Sequence, residues 1–219
     1  MIKLAVFDIA GTIVSDDGVV LDCFSKAFEE VVPEIWSERN KEFVAHAKKT
    51  MGQSKIEVFR ELLKSDELAE RASDSFQEHY LQRLPDVKLF KGIPTMFDTL
   101  RKRGVKVALN TGFNRGTLDV LLDELGLKSL VDATATQSEA LEGRPSPAMI
   151  QLVADRLGVS DSSQVAVIGD TKSDIEAGKR FGAGIKIGVL TGEHSLEELE
   201  VAGADYVVEH VLQVDHILI

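Results

Sequence analysis

Three stretches of this 219-residue chain gather carboxylates, hydroxyls and glycines, each directly after a short apolar run. They are Asp8-Ile9-Ala10-Gly11-Thr12, Asn110-Thr111-Gly112, and Gly169-Asp170-Thr171-Lys172-Ser173-Asp174. In an open parallel sheet, ligands bind beyond the carboxyl ends of the strands, so the residues that follow each run mark a site. Carboxylates converging there repel one another unless a cation sits among them. An all-oxygen set of this kind suits Mg²⁺, which keeps several waters and also contacts substrate phosphate. Taken singly, each aspartate is better explained as a helix N-cap or turn residue. Several strand ends carrying the same chemistry are not.

The elements that must position these groups are legible as alternating runs. β-Branched apolar stretches fall at Leu4–Phe7, Val105–Leu109, Val131–Thr134, Val165–Ile168, Ile185–Leu190 and Tyr206–Val208. Helical periodicity occupies Ile93–Arg103, Thr117–Leu125, Ala148–Leu157 and Asp174–Phe181. Strand alternating with helix predicts an α/β fold whose parallel sheet is covered on both faces. From Val19 to about Asp86 the rhythm changes to helix throughout: Phe24–Val31, Ser37–Thr50, Lys55–Leu63 and Leu68–Leu84. The expected organisation is a core of residues 1–16 and 87–219 with a helical insert at 17–86.

Composition bounds the rest. With 25 basic and 36 acidic residues the formal net charge is −11, and the chain is 44% hydrophobic. Nucleic acid is disfavoured, because a backbone-binding surface needs a basic stripe and the longest cluster is Arg101-Lys102-Arg103. No apolar run approaches the roughly 18 to 20 residues that span a bilayer. The single Cys23 fits a reducing, cytoplasmic setting. No G-x-G-x-x-G follows the first strand and no P-loop motif is present. The five histidines lack metal-ligand spacing and are expected on solvated faces.

FDIAGT, TG, EGRPSP and GDTKSDIEAG, in that order and with a helical insert after the first, resemble the haloacid dehalogenase superfamily of hydrolases. The resemblance covers essentially the whole chain. It implies a Rossmann-like core, a mobile α-helical cap and a Mg²⁺-dependent aspartyl nucleophile. Three features are similar to the phosphonatase branch. Ala10 stands where ordinary phosphatases carry a second aspartate, Arg144 stands where they carry lysine, and Met51-Gly52-Gln53-Ser54-Lys55 is similar to the branch's M-G-x-x-K. Its lysine forms a Schiff base with an aldehyde substrate.

The first substitution has direct physical logic. A second aspartate protonates the alkoxide that leaves a phosphate ester. A carbon–phosphorus bond has no leaving oxygen, and a protonated imine on Lys55 would accept the electron pair instead. Attack by Lys55 requires its neutral form. The chain departs from the branch at Val58, where a histidine is usual, and at Phe113, where tyrosine is. Helical periodicity alone puts Lys55 on a solvated face, away from Ile56, Phe59, Leu62 and Leu63.

The resemblance assigns Asp8 as nucleophile. It assigns Asp8, the Ala10 carbonyl, Asp170 and Asp174 to Mg²⁺. Thr111, the Gly112 N–H, Arg144 and Thr12 would serve the phosphoryl group, and Met51 and Lys55 would arrive with the cap. The expected substrate is a small organophosphonate or phosphorylated metabolite, handled by a monomer or a cap-mediated homodimer without nucleic acid or membrane. An ordinary phosphoglycolate-phosphatase-like enzyme, and a non-catalytic scaffold that binds phosphometabolites, remain alternatives.

Overall fold

A computed structural model describes residues 1–15 and 17–218; residue 16, at the expected domain boundary, and Ile219 lie outside the described residues. The chain opens with β1 (Leu4–Phe7) and the short β2 (Val14–Ser15). Four helices follow: α1 (Val19–Val31), α2 (Pro33–Lys49), α3 (Lys55–Leu63) and α4 (Asp66–Gln82). Next come β3 (Lys88–Leu89), α5 (Ile93–Lys102), β4 (Lys106–Thr111), α6 (Arg115–Glu124), β5 (Ala133–Thr136), α7 (Gln137–Ala140) and α8 (Ala148–Arg156). The chain ends with β6 (Val165–Gly169), α9 (Lys172–Phe181), β7 (Ile185–Val189), α10 (Leu196–Ala202), β8 (Tyr206–Val208) and α11 (Asp215–Leu218).

Six of the strands form one parallel sheet in the order β5-β4-β1-β6-β7-β8. The α/β class expected from the alternating runs is what the chain adopts. Both faces are apolar because both are covered. Ala5, Phe7, Val107, Leu109, Ala166 and Ile168 belong to the core on one side. Leu4, Val6, Ala108, Ala135, Val165 and Val167 pack on the other with Met149, Ile150 and Val153 of α8. The chain builds outward from β1 in both directions, so the strand order reverses there. The crevice beyond the carboxyl ends of β4, β1 and β6 is the predicted binding position.

The helices α1 to α4 are held by aromatic packing. Phe24 lies 4.8 Å from Phe59 and 5.0 Å from Phe76, and Phe28 lies 4.6 Å from Phe43, between ring centroids. Pairs of this kind add about 0.5–1.5 kcal/mol each beyond simple burial. Where the chain leaves for these helices and returns, β2 and β3 pair antiparallel, Val14 with Leu89 and Ser15 with Lys88. Two-residue strands have no readable period, so the sequence did not predict this clasp.

Boundaries moved for local reasons. β5 begins at Ala133 instead of Val131, because Asp132 takes over the edge of β4. Its N–H donates to the Val107 carbonyl at 2.7 Å and its carboxylate accepts the Val107 N–H at 2.8 Å. The second helix starts four residues early, at Pro33, whose fixed φ and missing N–H suit the first turn. Among the described residues, no helix is long and apolar enough to cross a membrane.

Candidate active site

Asp8 leaves the end of β1, and Asp170 follows β6 directly. Asp174 is the third residue of α9, where it closes a capping box with Thr171. Oxygens of these three buried carboxylates lie within 4.8 Å of one another. Burial, and then the charge of Asp8, push the Asp170 carboxyl up to about 7, against hydrogen bonds from the Glu193 N–H and the Thr12 hydroxyl. The Thr12 bond to Asp170 is 3.1 Å.

Arg144 comes from the loop before α8 and is itself buried. Its Nη1 donates to Asp8 Oδ1 at 2.7 Å and also to Asp174 Oδ1. The guanidinium therefore answers two of the three carboxylates, while Asp170 retains the repulsion. A small hard cation fits this all-oxygen donor set and would relieve that repulsion.

The fold brings the expected residues to one small cavity. Asp8, Ala10, Met51, Lys55, Thr111, Gly112, Arg144 and Asp170 all line it, together with Val20, Gly52, Phe113 and Thr171. Thr12 and Asp174 stand behind that wall, each through a hydrogen bond or ion pair to a lining residue. Thr12 thus touches Asp170. The Thr111 hydroxyl accepts the Phe113 N–H at 3.2 Å. The cavity's free volume is about 30 Å³, room for about two waters.

Lys55 is where tertiary structure departs most from helical periodicity. Instead of facing solvent, it is 7% exposed. The Met51–Ser54 turn carries it into the crevice, with Ser173 Oγ donating to the Met51 carbonyl at 3.3 Å. Its Nζ sits 5.6 Å from the Phe24 ring, 5.9 Å from Phe76 and 5.8 Å from Phe113. Those rings come from α1, α4 and the loop after β4, so no local pattern could have disclosed the cage. Val58, one turn on, is buried and apolar.

Gly112 is needed because the turn comes so close. A Cβ there would lie 2.6 Å from the Gln53 carbonyl oxygen.

One expectation is corrected. His194 is buried and not on a solvated face, because the loop after β7 folds over Asp170, with Glu193 N–H 3.1 Å from Asp170 Oδ2. Burial holds the His194 imidazole below its ordinary range. Val20 and Thr171 were also missed as wall residues. Thr171 had a signal in its T-x-x-D capping spacing; Val20 had none.

The family model of haloacid dehalogenase-like hydrolases matches residues 2–182. A phosphonoacetaldehyde hydrolase from Bacillus cereus is 32% identical over 228 residues, covering 94% of this chain and 83% of that protein. A bifunctional phosphonoacetaldehyde hydrolase/aminoethylphosphonate transaminase from Clostridioides difficile is 31% identical over 262 residues; all of this chain aligns, but it spans only 40% of that protein's length. Among solved structures, a hydrolase from Pseudomonas syringae superposes with a TM-score of 0.84 at 23% identity, covering 98% of this chain and 97% of the other. A phosphonoacetaldehyde hydrolase like protein from Oleispira antarctica gives 0.79 at 24% identity, covering 99% and 91%. The two superpositions establish the fold, and the profile match over most of the chain places it in the family: it belongs to the haloacid dehalogenase-like hydrolases.

Proposed function

We propose that this chain is a Mg²⁺-dependent hydrolase of the phosphonatase type, which cleaves the carbon–phosphorus bond of a small phosphonate bearing an aldehyde or ketone. The observation that carries this reading is the buried Lys55 amine in the same cavity as Asp8, with Ala10 where an ester-cleaving acid would stand. Relatives at 31–32% identity named phosphonoacetaldehyde hydrolase support it.

Residues 17–86 act as the cap and 1–16 with 87–219 as the core. The Lys55 Nζ condenses with the substrate carbonyl and water leaves, giving a protonated imine. A carboxylate oxygen of Asp8 attacks phosphorus, the carbon–phosphorus bond breaks, and its electron pair enters the imine to give an enamine. Water then cleaves the aspartyl phosphate. The enamine takes a proton at carbon, and hydrolysis of the resulting imine restores Lys55. Val58 can move no proton, so water in the cavity carries this transfer. Arg144, Thr111 and the Gly112 N–H hold phosphoryl oxygens. Asp8, the Ala10 carbonyl, Asp170 and Asp174 would hold Mg²⁺, which would neutralise charge on the phosphoryl group.

A second reading draws on the three phenyl rings around Nζ, which favour the ammonium form. A lysine that stays charged grips an anionic substrate group and leaves an ordinary small-molecule phosphatase. Borohydride reduction during turnover of phosphonoacetaldehyde separates the two. The imine reading expects a trapped adduct at Lys55 by peptide mass spectrometry, and loss of both adduct and phosphate release in Lys55→Arg. No adduct, with phosphate-ester hydrolysis surviving Lys55→Arg, would establish the phosphatase reading in its place.

A further inference from the structure

Two buried donors near the carboxyl ends of the strands lack an acceptor among the described residues, Arg144 Nε and Asn110 Nδ2. Arg144 is already engaged through Nη1. Asn110 is 1% exposed and has no comparable engagement. Its place in the sheet is informative. β1 and β4 pair in parallel up to Phe7 with Leu109; the same register extended by one residue sets Asp8 opposite Asn110. Alternation puts both on the face that carries Leu4, Val6 and Ala108.

The row continues on either side. Ala135 of β5 is Asn110's partner. On β6 the row reaches Gly169, where a side chain would collide with the Asp174 carboxylate that fills the space. Across the carboxyl edge the sheet therefore presents Ala135, Asn110, Asp8 and the Asp174 carboxylate, with Arg144 bridging the two acids. Strands about 4.8 Å apart bring a carboxamide within reach of what an adjacent side chain carries. A sequence selected for packing alone would place an apolar residue here, because an unpaired buried donor destabilises the fold.

We propose that Asn110 is a positioning residue for the nucleophile. Its Nδ2 donates to the aspartyl group once Asp8 carries a phosphoryl group, when new acceptor oxygens enter the crevice. The donor has no partner among the described residues because its acceptor arrives with the reaction. This rests on the reading of Asp8 as the nucleophile.

Fluoroberyllate, which mimics a phosphorylated aspartate, tests it in the presence of Mg²⁺ by thermal shift on the full chain. Wild type is expected to show a saturable shift that Asp8→Asn lacks. Asn110→Leu, close to isosteric, and the smaller Asn110→Ala are expected to need about 10- to 100-fold more fluoroberyllate for half the shift. Their ligand-free Tm is expected to equal or exceed that of wild type, since an unpaired donor has been removed. Undiminished affinity in both variants would overturn the proposal. A weakened affinity that merely tracks a Tm lowered by several degrees would do so too, by showing a structural role. A wild type without the shift, or an Asp8→Asn variant that keeps it, would overturn the nucleophile assignment itself.

Discussion

Replacing Gly112 with alanine tests whether close approach of the Met51–Ser54 turn is what delivers Lys55. The added Cβ would lie 2.6 Å from Gln53 O, 3.3 Å from Gln53 C and 3.7 Å from Ser54 Cα. A carbon–oxygen contact settles near 3.3 Å at closest, so the turn must recede by about 0.7 Å. The nearest atom is backbone and cannot swing aside. Gly112 lies outside the left-handed region, so alanine adds no torsional strain of its own. It also keeps the Gly112 N–H. The displacement passes through Ser54, the N-cap of α3, to Lys55 as the first residue of that helix. Misplacement of a reacting group by about 1 Å can slow an enzyme about 10²-fold. The expected result is a kcat for phosphonoacetaldehyde about 10- to 100-fold below wild type, with a matching fall in borohydride-trapped Lys55. The aromatic cluster of α1 to α4 is untouched, so Tm is expected within about 4 °C of wild type, the equivalent of about 1 kcal/mol. Wild-type kcat and trapping in Gly112→Ala would refute the reasoning, as would a loss of activity accompanied by a collapse in Tm.

Two further predictions concern pH. Asp170 is raised to about 7 from 3.8, so between those values the folded chain holds a proton that the unfolded chain has released. Stability of the metal-free protein is expected to fall as pH rises from about 4 to 7 and to level off above 7, and Mg²⁺ to remove this fall; melts in chelator and in Mg²⁺ from pH 5 to 8 check both, and identical profiles would count against a metal at Asp170. Glu139 shifts the opposite way. Burial works against it, but Arg115, Arg156 and Thr136 bring it down to about 2 from 4.5. Its contribution is therefore complete above about 4.5 and lost as pH falls toward 2. Partial exposure of both arginines limits it to about 1–2 kcal/mol. Glu139→Gln is expected to lose this by urea titration at pH 7 and to match wild type at pH 2.

The strand ends were legible because buried parallel strands leave continuous apolar runs, and the residue after each run must face the crevice. Asp8, Thr111, Gly112 and Asp170 follow from that rule. The clasp of β2 and β3 was not legible, since pairing of two residues is set by where the chain is brought back.

The sequence by itself determined the class of fold and the placing of aspartates just beyond the strands, both of which depend on neighbours along the chain. Only the tertiary structure decided where Lys55 lies. Periodicity places a lysine by its own helix, and an amphipathic α3 would leave it in water. A turn docked against Gly112, and rings from three separate segments, put its amine in the crevice with Asp8. Asn110 is the same kind of case: its chemistry is written in the sequence, but its place one residue beyond the Phe7–Leu109 pair exists only once β1 and β4 have paired.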